Sequence, residues 1–164
     1  MPDIRIREAT PDDAQTILDF IVGLAEFENE PLSTVKATVE SIRRDGFGDH
    51  RMFETLIAER DGQPVGMALF FPHYSTWTGT PALYLEDLFV TAEARGTGAG
   101  FALMRALAQV AEARGWARLD LSVLDWNPAR KFYHQLGMTH ESEWLLYRLD
   151  EDGIATLART GRDG

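Results

Sequence analysis

Cysteine is absent from this chain. Its absence excludes a disulfide framework, a thiolate nucleophile and any cysteine-based metal site. No apolar run approaches the about 18 residues that a membrane-spanning helix needs, and no charged-then-apolar leader opens the sequence. Membrane insertion and secretion are therefore not expected, and the protein is read as cytoplasmic. Positive charge is scarce too: 16 Lys and Arg stand against 26 Asp and Glu, for a net charge of −10. A general nucleic-acid binder needs a basic surface, so that class is excluded. An acidic surface keeps a protein soluble, and it also attracts cations, which is compatible with a cationic substrate. The four histidines, His50, His73, His134 and His140, show no metal-ligand spacing, and no metal is expected. The chain shows no internal repeat, linker or low-complexity stretch.

What is present suits one compact domain, since hydrophobic residues make up 45% of 164. Residues 3–7 alternate like an edge strand. Thr10-Pro11-Asp12-Asp13 reads as a helix start, with Thr as cap, Pro in the first position and acids in the first turn. Ile17, Leu18, Ile21, Leu24 and Ala25 follow at helical spacing. A second helix is expected from Ser33 to Arg44, stopping at Asp45-Gly46. Residues 54–60 and 64–71 flank the turn Asp61-Gly62 as a hairpin. Pro72 to Pro81 reads as a loop, residues 84–90 as a strand, and the helix after it runs to Arg114. Residues 118–124 alternate as a strand, Asn127-Pro128 opens a helix that Gly137 ends, and residues 143–149 read as a last strand. Residues 1–152 are thus expected to form the domain, with 153–164 a loose polar tail. Strand–helix–strand units in the order βααβββαβαβ imply an α/β fold, a mixed central sheet with helices on both faces.

Two features of this layout carry chemistry. Glu86 and Asp87 sit inside an otherwise apolar strand, Tyr84-Leu85-Glu86-Asp87-Leu88-Phe89-Val90. Directly after it comes Arg95-Gly96-Thr97-Gly98-Ala99-Gly100, opening an apolar helix at Phe101. Free N–H groups at a helix start bind anions, and glycines let a phosphate approach the backbone closely. A Walker loop would need Gly-Lys-Ser/Thr at its end, which is missing. A dinucleotide fingerprint would need glycine where Phe101 stands.

Arg-x-x-Gly-x-Gly between strand and helix resembles the acetyl-CoA pyrophosphate loop of the GCN5-related N-acetyltransferases (GNAT). Asn127 and the stretch 132–138, Phe-Tyr-His-Gln-Leu-Gly-Met, agree with that family. "DGFGDH" (45–50), "LYLEDLFV" (83–90), "RGTGAG", "DWNPARKFYHQLGM" and Trp144 are similar to the diamine (spermidine/spermine) and thialysine N-acetyltransferases within it. The resemblance implies a GNAT fold whose central strand is splayed and bulged near Glu86 and Asp87, turning both acids toward one cleft. It implies acetyl-CoA as donor, held by Leu88, Phe89, Val90, Arg95, Gly96, Thr97, Gly98, Ala99, Gly100, Phe101, Asn127, Arg130 and Tyr133. Asn127 also reads as a helix cap. It implies amine contacts from Phe27, Glu28, Trp77, Glu86, Asp87 and Trp144, no metal, and a homodimer.

The acids answer a specific difficulty. An alkyl amine titrates near ~10.4, so about one molecule in a thousand is neutral at pH 7, and deprotonation costs about 4–5 kcal/mol before chemistry begins. Carboxylates attract the ammonium but also hold its proton. Glu86 is accordingly expected to remove the proton through water and Asp87 to recognise charge. Tyr133 matches the family's general acid for the departing thiolate, with backbone N–H groups near Phe89 or Val90 holding the oxyanion in a direct transfer. Polyamines, diamines and thialysine-like amino acids all remain open as substrates. So do a protein amino group and, as a non-enzyme, an acetyl-CoA-binding module. Two departures from the diamine enzymes stand out: Ser75-Thr76-Trp77 replaces Asp-Pro-Trp, and two residues are missing between Gly137 and Trp144.

Overall fold

The structure is a computed structural model in which residues 3–161 are described. The chain divides into two compact units at the Leu124–Asp125 link. The first holds five strands in the order β1-β2-β3-β4-β5: β1 Ile4–Glu8, β2 Glu54–Arg60, β3 Gln63–Ser75, β4 Thr80–Val90 and β5 Arg118–Leu121. β1 to β4 are antiparallel neighbours, and β5 joins β4 in parallel after a helical crossover. Helices α1 (Ala14–Phe27) and α2 (Val39–Phe47) cover one face. There Ile17, Ile57 and Met67 are fully buried, each worth about 1.5–3 kcal/mol relative to exposure. Helix α3 (Ala99–Arg114) covers the other face with Leu103 and Leu107. The second unit carries α4 (Ala129–Gln135) and α5 (Glu151–Arg159).

The entry to α1 shows how local chemistry fixes an element. Pro11–Asp13 form one 3-10 turn, and the Asp13 carboxylate accepts from the Thr10 N–H at 2.7 Å. Asp13 also receives both guanidinium nitrogens of Arg7, at 2.7 and 2.9 Å, while Arg7 Nε donates to Glu59 at 2.6 Å. β1, β2 and the start of α1 are thereby tied at one point. The Arg7 guanidinium holds the Asp13 carboxyl below the usual carboxylate range. The folded form of such a group keeps its stabilisation above its ordinary pKa and loses it as pH falls through the lowered one. Asp13→Ala is expected to cost about 1–3 kcal/mol at pH 7, with the deficit shrinking on acidification; chemical denaturation at pH 7 and pH 3 measures it.

Several expected boundaries move. The second helix begins at Val39, not Ser33: Thr38 and Ser41 form a reciprocal cap, and Leu32–Thr34 is a separate 3-10 turn. That helix continues through Asp45-Gly46, because buried Gly46 packs on Phe53, whose ring would lie 2.7 Å from an added Cβ. The loop expected over 72–81 is mostly sheet, with residues 72–75 pairing with 80–83 around the turn 76–79. β5 stops at Leu121 instead of residue 124. Residues 143–149 form no strand, and the expected loose tail is helical from Glu151 to Arg159. Asp150 starts that helix by accepting from the Gly153 N–H at 2.8 Å, with Glu151 and Asp152 favouring its first turn.

Candidate active site

The bulge expected in the central strand is present. Leu69 pairs with Asp87 and Phe70 with Leu85, so Glu86 is the extra residue. Strict alternation would place Asp87 on the face of Leu85, under α3. The inserted Glu86 instead moves Asp87 onto the face of Leu69, Met67 and Phe89, toward α1. β5 leaves β4 at the pair Leu85–Leu121, while β4 runs on to Val90. Among the described residues, Leu88, Phe89 and Val90 are thus the last of a strand with no ladder partner on its β5 side, which is the expected splay.

The acids differ sharply in environment. Glu86 is exposed, whereas Asp87 is largely withdrawn from solvent. Burial pushes the Asp87 carboxyl up to about 6 from an ordinary 3.8, and the charges of Glu86 and Glu28 push the same way. Glu28, at the end of α1, is raised by burial and by Glu30. Three carboxylates from α1 and the bulge therefore act on one small volume, and a cation entering it relieves their mutual repulsion.

Two glycines let neighbours close on β4: Gly23 from α1 and Gly66 from β3. A Cβ on Gly23 would lie 2.7 Å from the Phe89 ring, and one on Gly66 would lie 2.6 Å from the Phe89 carbonyl oxygen. The Phe20 and Phe89 rings pack at 5.4 Å. Neither glycine was among the expected site residues, although a glycine inside an apolar helix or strand is itself a signal of close approach. Beside them, Arg95 stacks its guanidinium 4.9 Å above the Phe27 ring and donates from Nε to the Val90 carbonyl at 3.3 Å.

The glycine turn opens α3 as expected. Gly96 and Gly98 have φ of +78° and +91°, and no atom lies within 4 Å of a Cβ built on either. Their glycine requirement is thus conformational, and the space above them is open. Gly98 is the cap residue, and no side chain caps the helix. The N–H groups of the first turn, from Ala99, Gly100 and Phe101, are therefore available to an anion. The Thr97 hydroxyl donates to the Ala94 carbonyl, and Phe101 is exposed. Open space, left-handed glycines and an uncapped helix fit a pyrophosphate.

The remaining residues lie apart along the chain. Trp77 is 88% exposed at the β3–β4 turn. Ser75 is buried in that turn, accepting from the Thr78 N–H at 3.3 Å and from Arg118 at 3.4 Å. In the second unit, buried Asn127 accepts from the Ala129 N–H at 2.9 Å, while Pro128 is the cap residue of α4. Arg130 donates to the Asp125 carbonyl at 2.8 Å. Tyr133 is half-buried on α4, which ends in Gly137 at φ +91° with the Met138 N–H returning to the Tyr133 carbonyl. Trp144 is 74% exposed. Among the described residues no group of His, Asp or Glu side chains is placed to hold a metal ion, and no helix is long and apolar enough to cross a membrane.

Known proteins resemble this chain in sequence and in fold. The profile of the Acetyltransferase (GNAT) family matches residues 19–138. The chain is 39% identical to a thialysine N-epsilon-acetyltransferase of Mus musculus, over 96% of this chain and 99% of that one. It is 34% identical to a spermidine/spermine N(1)-acetyltransferase-like protein 1 of Homo sapiens, over 96% of this chain and 24% of that longer one. The crystal structure of a ribosomal-protein-alanine N-acetyltransferase from Brucella melitensis superposes with a TM-score of 0.70 at 26% identity, covering 90% of this chain and 99% of that one. Matched by the family profile over most of its length and by relatives along nearly all of it, the protein is an N-acetyltransferase and belongs to the Acetyltransferase (GNAT) family.

Proposed function

We propose that the protein acetylates a primary amine of a small cationic molecule, with acetyl-CoA as donor and by direct transfer. The observation that carries this reading is the bulge at Glu86. It gathers Asp87, Glu86 and Glu28 where α1 meets the open edge of β4, a few residues before the glycine turn. Acetyl-CoA, when bound, supplies an acetyl thioester. Gly96, Gly98 and the first turn of α3 would hold its pyrophosphate, and the edge of β4 its pantetheine arm. Asp87 attracts the ammonium into the cleft. Glu86, which keeps contact with solvent, takes its proton by way of water. Tyr133 supplies a proton from its phenol hydroxyl to the leaving sulfur. A panel of amines assayed for thiol release tests the reading, and no turnover with any of them would sink it.

Gly98→Asp adds a carboxylate where the pyrophosphate is proposed to sit. Asp tolerates a left-handed backbone better than most residues and meets no neighbour there, so the fold should persist. Acetyl-CoA affinity is expected to fall at least about tenfold by calorimetry, and an unchanged affinity removes the assignment.

Ser75 bears on the choice of amine. Its hydroxyl is engaged in the turn and brings no charge. A polyamine would lack one acidic partner for its distal cation, whereas thialysine carries its own carboxylate. Thialysine is expected to show the higher kcat/KM, and a higher value for spermidine refutes the preference.

A further inference from the structure

Arg95 is an exposed side chain that bridges two elements of the site. Its guanidinium lies 4.9 Å above the ring of Phe27, the last residue of α1. Its Nε donates at 3.3 Å to the carbonyl of Val90, the last residue of β4. Among the described residues no carboxylate lies within ion-pair distance of it, so its charge is left to a ring face and a neutral acceptor.

The direction of the Val90 carbonyl gives that contact its meaning. The Thr91 N–H donates to the Val65 carbonyl at 2.8 Å and so points toward β3. The Val90 carbonyl is the other end of the same trans peptide and points the opposite way. It therefore faces the side on which β4 has no ladder partner beyond Leu85 among the described residues. An extended ligand with amide groups would pair on that side like an added strand, and the Val90 carbonyl is an acceptor it would use. Arg95 already occupies this acceptor. Its hold is weak, since the bond is long and both contacts lie at the surface. A phosphate at the adjacent glycine turn is a stronger partner for a guanidinium than a carbonyl or a ring.

We propose that Arg95 is a latch on the donor site. In the free protein it holds the Val90 carbonyl, with the Phe27 ring as its seat. Pyrophosphate at the glycine turn draws the guanidinium away, and the Val90 carbonyl is released to the pantetheine arm. This rests on the donor reading above, which puts the pyrophosphate at Gly96 and Gly98 and the arm along β4. It goes beyond that reading in giving one side chain opposite effects on the two halves of the donor, attraction for the phosphates and obstruction of the arm.

Arg95→Ala separates the two effects. The side chain is exposed, so the fold should persist by circular dichroism. Acetyl-CoA binding is measured by calorimetry. Binding of pantetheine, which has the arm and no phosphate, is measured by NMR titration under reductant, harmless in a chain without cysteine. Acetyl-CoA affinity is expected to fall about tenfold, while pantetheine affinity rises about three- to tenfold. A side chain that only attracts phosphate would leave pantetheine unaffected, so unchanged or weaker pantetheine binding overturns the latch. A second measurement uses the parent protein. The Arg95 Nε–H resonance should move when acetyl-CoA saturates the site, and a resonance that stays in place overturns the proposal too. Acetyl-CoA that fails to bind the parent protein removes the donor reading and the latch together. Binding to the parent with no gain for pantetheine in Arg95→Ala removes the latch alone.

Discussion

Tyr133→Phe should lower kcat by about 10²–10⁴ while leaving acetyl-CoA affinity nearly unchanged, the usual scale for loss of a general acid. Only a hydroxyl is removed, and the half-buried ring keeps its contact with Phe132, 5.5 Å away. Glu86→Gln provides the discriminating comparison. It removes a proton acceptor from the nucleophile's side, so its deficit should shrink as pH rises toward the amine's own pKa, where neutral amine is already abundant. Tyr133→Phe should show no such rescue, because a neutral amine does not help a thiolate leave. The measurement is kcat for both variants across pH 6.5 to 9.5. An active Tyr133→Phe enzyme would mean that the sulfur takes its proton from water. A Glu86→Gln deficit that is flat with pH would mean that Glu86 orients the amine and does not deprotonate it.

How far residues alone reveal this site depends on which physical signal each part leaves. The glycine turn is legible because left-handed backbone at Gly96 and Gly98 has few other solutions. Thr10 marks its helix start through short-range hydrogen bonding that the sequence displays directly. The bulge leaves no such mark. Side-chain period places Glu86 and Asp87 on opposite faces, and only the resemblance to a family suggested otherwise. The unequal burial of the two acids follows from the bulge and was equally hidden. Gly46 misleads because the same residue type ends helices and permits close packing, and the packing partner, Phe53, lies outside any local window. Residues 143–149 mislead differently. Their pattern is that of a strand, but a strand also needs an edge to join, and side-chain pattern alone does not supply one.

Asp87→Asn should stabilise the folded protein and weaken catalysis together. In the folded state the carboxyl titrates near 6 instead of 3.8. Between those values the folded protein keeps a proton that the unfolded chain has released, so stability falls as pH rises through the window. Above it, the ionised Asp87 costs up to about 3 kcal/mol, the equivalent of a two-unit shift. Asn has nearly the same shape and no charge to desolvate. The variant's Tm should therefore exceed that of the parent by several degrees at pH 8, and the gain should vanish toward pH 4. The same substitution removes the charge proposed to attract the ammonium, so kcat/KM should fall about 10- to 100-fold, mostly through KM. A bound amine should close the gap from the other side, because a cation between Glu28, Glu86 and Asp87 offsets the repulsion that raises the Asp87 pKa. Saturating amine should accordingly raise the Tm of the parent more than that of Asp87→Asn. A gain in Tm with unchanged kcat/KM would place the cation elsewhere. An unchanged Tm at pH 8 would mean that the Asp87 carboxylate is already hydrated in the free enzyme, and that its burial is not what recognises the amine.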